Sequence, residues 1–340
     1  SNMFRAAAAA SSIPATVEEL EAGTEVIYNI STYDDVLALQ ELSKASSLEG
    51  YTFRFGKLNN STNAWDFTSI PFTGFGSEEY PFKGTLEEYY TSGTTFKTKY
   101  PLFQYLGSGA AVTNFAVNLS NASSGIAQNF VITDDAAVIY TNVTLTGSIS
   151  NSGGAAGALY GTVKNDGAAR YEIAVADTGI NVKELTVSGK TAGGYIGETS
   201  GDVKLVVSSG ANVAKTVTSV SGGTVAGGIV GRLGNGSSFE VISEITIGNG
   251  VSGTGSVGGL IGICDNAAVT ANRKITKNTD IAGTVNAGGF AGLATDSQIQ
   301  VSGFVLNGMV RASNSSASYA GGVIGQYITC HLYTSPSPRD

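Results

Sequence analysis

A phrase of the form Gly-Gly-apolar-apolar-Gly recurs along this chain at intervals close to one coil of a solenoid. It reads Gly193-Gly194-Tyr195-Ile196-Gly197, Gly227-Gly228-Ile229-Val230-Gly231 and Gly258-Gly259-Leu260-Ile261-Gly262. Two more copies follow, Gly288-Gly289-Phe290-Ala291-Gly292 and Gly321-Gly322-Val323-Ile324-Gly325, and a weaker one, Gly157-Ala158-Leu159-Tyr160-Gly161, precedes them. The starts at 157, 193, 227, 258, 288 and 321 are separated by 36, 34, 31, 30 and 33 residues. A fixed period in this range indicates stacked units, none of which can bury its apolar face without its neighbours. Tyr100-Pro101-Leu102-Phe103-Gln104 and Ser124-Gly125-Ile126-Ala127-Gln128 occupy the same slot as degenerate copies.

Each unit carries further apolar segments. Val203-Lys204-Leu205, Phe239-Glu240-Val241 and Ile299-Gln300-Val301 alternate with the period of a half-buried strand. A third segment is expected in Leu185-Thr186-Val187, Ile245-Thr246-Ile247 and Val305-Leu306. Short strands joined by glycine-rich corners predict an all-β, right-handed parallel β-helix, with coils one strand spacing apart. Glycine at the corners meets either a positive φ or a close backbone approach. Leu159, Tyr195, Ile229, Leu260, Phe290 and Val323 form one expected ladder, and Tyr160, Ile196, Val230, Ile261, Ala291 and Ile324 its neighbour. Both are apolar, so alternation leaves open which of them faces the core.

The texture changes near residue 105. Before it lie 18 of the 30 aromatic residues, including the single tryptophan, Trp65. Pro14, Pro71, Pro81 and Pro101 lie there too, and no proline recurs until Pro336. Proline removes a ladder donor and is barred from central strands, so its absence fits nearly continuous strand and turn. Thr32 and Asp35 resemble a capping box, and Val36, Leu39 and Leu42 form one stripe, predicting a helix over 33–44. The expected organisation is an extension over 1–24, a cap over 25–105 containing that helix, repeats over 106–329 and a separate tail over 330–340.

The Gly-Gly-Leu-Ile-Gly type of phrase resembles the GLUG motif of bacterial surface proteins, some of them adhesins or IgA-peptidase-like proteins. Trp65, Pro81-Phe82-Lys83-Gly84-Thr85 and Pro101-Leu102-Phe103 are similar to the segment that leads into such repeats. Gln104 replaces the usual glycine there, and Leu86-Glu87-Glu88 an Asp-Gly turn. The resemblance covers roughly residues 25–328. The tail Cys330-His331-Leu332-Tyr333-Thr334-Ser335-Pro336-Ser337-Pro338-Arg339-Asp340 breaks the repeat style. It resembles a translated sequencing adapter, with His331 the one departure. That resemblance implies a gene fragment cut within the array, whose last coil is exposed and prone to self-association.

Chemistry-bearing residues are sparse. The net charge of −8 has no basic run, which gives no footprint for nucleic acid. No apolar stretch is long enough for a membrane helix, so no membrane insertion is expected. His331 is the only histidine, and outside the tail Cys264 is the only cysteine, so no metal or cofactor site is expected. Gly253-Thr254-Gly255-Ser256-Val257-Gly258 matches a dinucleotide fingerprint formally, but as a corner leading into the next repeat. Parallel β-helices also carry polysaccharide lyases and hydrolases. Asp134-Asp135 and Asn278-Thr279-Asp280 are similar to the acid pieces of polygalacturonase-like enzymes, in reversed order, and Arg273 and Lys274 near Asp265 are a thin lyase candidate. The expectation is that no acid pair shares a groove with a lysine or arginine, so no catalytic residue is assigned. Trp65, Tyr89, Tyr90 and Tyr100 are candidate glycan-contact aromatics, set against the alternative of an aromatic plug over the first coil. The expected function is a non-enzymatic, extracellular or cell-surface stalk or adhesin presenting a ladder face to host glycans or proteins. A carbohydrate-active enzyme and a purely structural spacer are the alternatives.

Overall fold

Successive copies of the repeat phrase lie side by side in one parallel sheet. A computed structural model describes residues 11–89, 94–167, 169–175, 179–208, 217–314 and 316–329; Tyr90 and the tail over 330–340 fall outside them. The chain winds as a parallel β-solenoid of about 8 turns. Its most regular face is an 8-stranded sheet running from Phe103–Gly107 through Ala127–Ile132 and Tyr160–Asn165 to Ile324–Ile328. Tyr160, Ile196, Val230, Ile261, Ala291 and Ile324 are consecutive partners across it. The degenerate copies take the same places, with Phe103 opposite Ala127 and Ala127 opposite Tyr160. On the preceding strands Gly193, Gly227, Gly258, Gly288 and Gly321 are likewise in register.

Both apolar ladders face the core. Ile229, Leu260 and Phe290 are buried, and so are Ile196, Val230 and Ile261. The chain bends between the two strands that meet at the motif, so consecutive side chains both turn inward where a straight strand would send one outward. Close approach explains the glycines. None of the motif glycines has a positive φ. A Cβ on Gly228 would lie 2.1 Å from the Gly259 carbonyl oxygen, and one on Gly259 2.0 Å from that of Gly289.

The change of texture near residue 105 is not a break in the sheets. Ala64–Asp66 pairs in parallel with Thr95–Thr98, which pairs with Ala116–Ala122 inside the repeats. The helix forms at Tyr33–Ser43 with the expected capping box. Thr32 Oγ1 accepts from the Asp35 N–H at 3.1 Å, and Asp35 Oδ2 accepts from the Thr32 N–H at 3.1 Å. Val36, Leu39 and Leu42 are buried. Gln40 and Ser43 bind the chain beneath: Thr73 N–H donates to Gln40 Oε1 at 2.7 Å and Gly76 N–H to Ser43 Oγ at 2.9 Å. Phe55, Trp65, Phe96 and Phe115 fill the first coils, with Phe96 and Phe115 stacked at 4.3 Å.

The expected equivalence of the third segments is corrected. Leu185–Val187 belongs to the long strand Ile180–Gly193 and pairs with Val217–Gly227. Ile245–Ile247 pairs instead with Ile275–Lys277, which pairs in turn with Phe304–Leu306, in a 3-stranded sheet of its own. Similar alternation in the two places hides a different position on the coil.

One face also changes partners midway. A 5-stranded sheet built from Val26–Ile30, Tyr51–Phe55, Thr85–Glu88, Ala111–Thr113 and Ile139–Thr141 ends at the last of these. One coil later another 5-stranded sheet begins at Tyr171–Ala174 and continues through Val203–Val207. The first set runs almost directly into the long strands, as Thr141 does into Val143, whereas the second follows closely on the motif strands, as Val203 follows Ser200. The strand has therefore slid along the coil, and the two sheets do not pair. A seam opens between them.

Candidate functional site

The sequence candidates divide between core and surface. Trp65 is 1% exposed and stands edge-on to Phe55 and Tyr33. It therefore takes the plug role and offers no ring face to a sugar. Tyr89 is 63% exposed and Tyr100 is 41% exposed. They do not make one platform, because Tyr89 follows the strand Thr85–Glu88 of one sheet and Tyr100 follows Thr95–Thr98 of another.

Tyr89 does stand at a pocket of about 490 Å³, with Asn29, Ser31, Arg54, Lys57 and Asn60. Neighbouring parallel strands create it. Asn29 is opposite Arg54, and Arg54 is opposite Glu87, on the outward row of the first 5-stranded sheet. The inward row of the same strands holds Phe53, Phe55 and Leu86 in the core. The chain leaves these strands through turns that gather Ser31, Lys57, Asn60 and Tyr89 at their carboxyl ends. Arg54 Cζ lies 6.0 Å from the Tyr89 ring centre, within cation–π range. The Arg54 guanidinium is 3.5 Å from Glu87 Oε1.

The pocket is held from behind. Tyr89 N–H donates to the Phe55 carbonyl at 2.9 Å, Gly56 N–H to Ile30 at 2.9 Å and Asn59 N–H to Ser31 at 2.7 Å. Asn59 and Asn60 both adopt left-handed φ, 51° and 59°, a conformation asparagine tolerates. Trp65 Nε1 donates to the Gly56 carbonyl at 3.2 Å, so the buried indole positions the floor. Sequence reading found Tyr89 but missed Arg54, Lys57 and Asn60, since only strand pairing shows that residues 25 and 33 apart meet, as Asn29 with Arg54 and Arg54 with Glu87.

The acid pairs are dispersed. Asp134 follows the motif strand Ala127–Ile132, whereas Asp280 follows Ile275–Lys277, in the coil whose motif strand is Ile261–Asp265, four coils further on, or roughly 20 Å along the axis. Asp265 is paired with Arg232, and Asp280 accepts from Met309 N–H at 2.9 Å. The expectation that no acid pair shares a groove with a cation is corrected. A groove of about 240 Å³ is lined by Asp134, Asp135, Asn165, Arg170 and Tyr171. Asp134 and Arg170 follow the motif strands of adjacent coils, which brings them together although 36 residues separate them. Contact with the Ser108 hydroxyl holds the Asp134 carboxyl below the usual range, against the opposing effect of burial, with Ala136 N–H and Lys83 adding to the lowering. Lys83 Nζ is 3.1 Å from Asp134, and Arg170 Nε is 3.0 Å from Asp202.

The seam holds a third cavity, of about 410 Å³, between Ile139, Tyr140 and Gly179 on one side and Tyr171 and Ile173 on the other. Tyr140 and Tyr160 join hydroxyl to hydroxyl at 2.6 Å, and Tyr171 Oη donates to the Ala136 carbonyl at 2.9 Å. Burial pushes the Tyr171 phenol up to about 12.

Two buried groups are chemically quiet. Burial raises the Cys264 thiol to about 12, which leaves almost no thiolate at neutral pH. Lys277 is 0% exposed, and its Nζ donates to the Asn249 carbonyl and Thr279 Oγ1, each at 2.8 Å, and to the Asn278 carbonyl. Burial lowers its pKa to about 8, with Asp280 opposing. Three acceptors match the three donors of an ammonium.

Among the described residues no group of three or more His, Cys, Asp or Glu is placed to hold a metal. No helix there is long and apolar enough to cross a membrane. The fold and its pockets define a parallel β-solenoid with a helix-containing first end and a polar, aromatic-edged pocket beside it. Comparison of the chain with protein-family models, with curated proteins and with solved structures finds no match.

Proposed function

We propose that this chain is a non-enzymatic β-solenoid module of a cell-surface or secreted protein, a stalk or adhesin that presents its outward strand rows and the pocket at their ends to host glycans or proteins. The observation that carries this reading is the pocket at the strand ends, where exposed Tyr89 adjoins Arg54, Lys57, Asn29 and Asn60. An aromatic face beside amides and cations suits a sugar ring or a polar peptide surface. The similarity of the repeat phrase to the GLUG motif of bacterial surface proteins supports the same reading. The test is retention of residues 1–329 on arrays of host glycans and extracellular proteins, with mass spectrometry of the supernatant. Retention lost in Tyr89→Ala, without released products, is the expected outcome; product release overturns the non-enzymatic reading.

A second reading, a carbohydrate-active solenoid enzyme, is favoured by the groove containing Asp134, Asp135 and Arg170. It requires Asp134 to exchange its contact with Lys83 for one with substrate. Loss of product release in Asp134→Asn would support it.

A further inference from the structure

We propose that the pocket edged by Tyr89 binds a carboxylated pyranose, such as a uronic acid unit of an acidic glycan. The inference rests on the binding-module reading and names the ligand chemistry of its site.

Charge is the first argument. The chain carries 27 acidic and 19 basic residues, a net charge of −8, so its surface as a whole repels anions. Against that background Arg54 and Lys57 line the same pocket. Glu87 is the acidic neighbour, and its 3.5 Å separation from the Arg54 guanidinium is longer than the roughly 2.7–2.9 Å of a strong charge-assisted bond. The guanidinium is positioned by Tyr89 and Glu87, and its side chain, 33% exposed, lines the pocket, where a guanidinium fork matches a planar carboxylate.

Shape and polarity supply the second argument. A pyranose presents an apolar C–H face and a rim of hydroxyls. The 63% exposed Tyr89 ring suits the first, and the Asn29 and Asn60 amides and the Ser31 hydroxyl suit the second. A volume of about 490 Å³ lies within the usual range for small-ligand sites. The backbone hydrogen bonds at Tyr89, Gly56 and Asn59 hold these groups in place without a ligand, so little ordering is needed on binding.

The test is calorimetric titration of the full chain with trigalacturonate, its fully methyl-esterified form and inorganic sulfate. The acid and ester differ in charge and leave the ring hydroxyls unchanged. Expected are binding of the acid, at least about tenfold weaker binding of the ester, and weakening by salt. Lys57→Gln and Tyr89→Ala, both at turn positions outside the strands, each reduce affinity by about tenfold with an unchanged melting temperature. Equal binding of acid and ester, no binding of the acid, or binding of sulfate as tight as that of the acid overturns the inference. Tyr89-dependent binding of neutral glycans or proteins alone overturns the acidic-sugar inference and leaves the binding-module reading standing. Cleavage of trigalacturonate overturns the non-enzymatic reading instead.

Discussion

Tyr140 and Tyr160 meet hydroxyl to hydroxyl at 2.6 Å, where one 5-stranded sheet ends and the next has not begun. Tyr140 closes the first sheet, while Tyr160 stands on the adjoining motif strand. Together with the Tyr171 bond to the Ala136 carbonyl, they tie a seam that has no strand ladder across it. Replacing Tyr160 by Phe removes one hydroxyl and leaves its partner poorly solvated. The expected loss is about 1–2 kcal/mol. In a denaturation double-mutant cycle, Tyr140→Phe with Tyr160→Phe should lose less than the sum of the singles; strict additivity would show that the bond contributes nothing.

Stability should have two limbs above neutral pH. Lys277 titrates near 8 in the folded chain and near 10.4 unfolded. Between these values the unfolded state binds more protons, so stability rises with pH, by on the order of 1–3 kcal/mol. Burial raises the folded pKa values of Tyr140, Tyr160 and Tyr171 above the ordinary tyrosine value. Their contribution is present below about pH 10 and is lost as unfolded tyrosine ionises above it. Urea melts from pH 7 to 11 should show a maximum near pH 10. Lys277→Met should abolish the rising limb and keep the falling one.

One substitution made at two copies of the repeat phrase should have very unequal consequences. A Cβ at Gly259 would sit 2.0 Å from the Gly289 carbonyl oxygen, whereas one at Gly322 meets nothing within 4 Å. Gly259→Ala must separate two coils and should cost about 3 kcal/mol or more. Gly322→Ala should change stability by less than about 0.5 kcal/mol. Equal effects in thermal or chemical denaturation would remove close coil approach as the reason for the motif.

The last described coil should open first. Met309, Tyr319, Val323 and Tyr327 are 40–56% exposed, while their counterparts Ile229, Leu260 and Phe290 at the Val323 position are fully buried. Among the described residues the strand Ile324–Ile328 pairs on one side only, with Ala291–Thr295. Exposed strand edges recruit further strands. Hydrogen exchange should therefore be fastest over 304–328, with protection rising toward 225–265. Self-association should grow with concentration and slow that exchange. Protection equal to that of the middle coils in a dilute monomer would show a covered edge.

The repeat phrase made the architecture legible because a solenoid converts sequence period directly into spatial neighbourhood. The copies at 193, 227, 258, 288 and 321 could be paired from spacing alone, and even glycine-free Leu102-Phe103 falls into register. Thr32 and Asp35 marked the helix start because capping is satisfied within four residues. The third segments were misaligned because alternation records which side of a strand is buried and says nothing of where on the coil that strand lies.

Chain order by itself determined the fold class, the stacking of the motif and the start of the helix, since each follows from local spacing or a constant period. Tertiary structure alone decided the rest. It turned both apolar ladders inward through a bend at the motif, sent Trp65 into the core and left Tyr89 outside. It opened the seam where one strand slides along the coil. It also brought Arg54 beside Tyr89, and Arg170 beside Asp134, across adjacent coils. Such meetings depend on how many residues each corner loop consumes, and these loops vary from coil to coil, so the pairing of strands and not the spacing of residues assembles the sites.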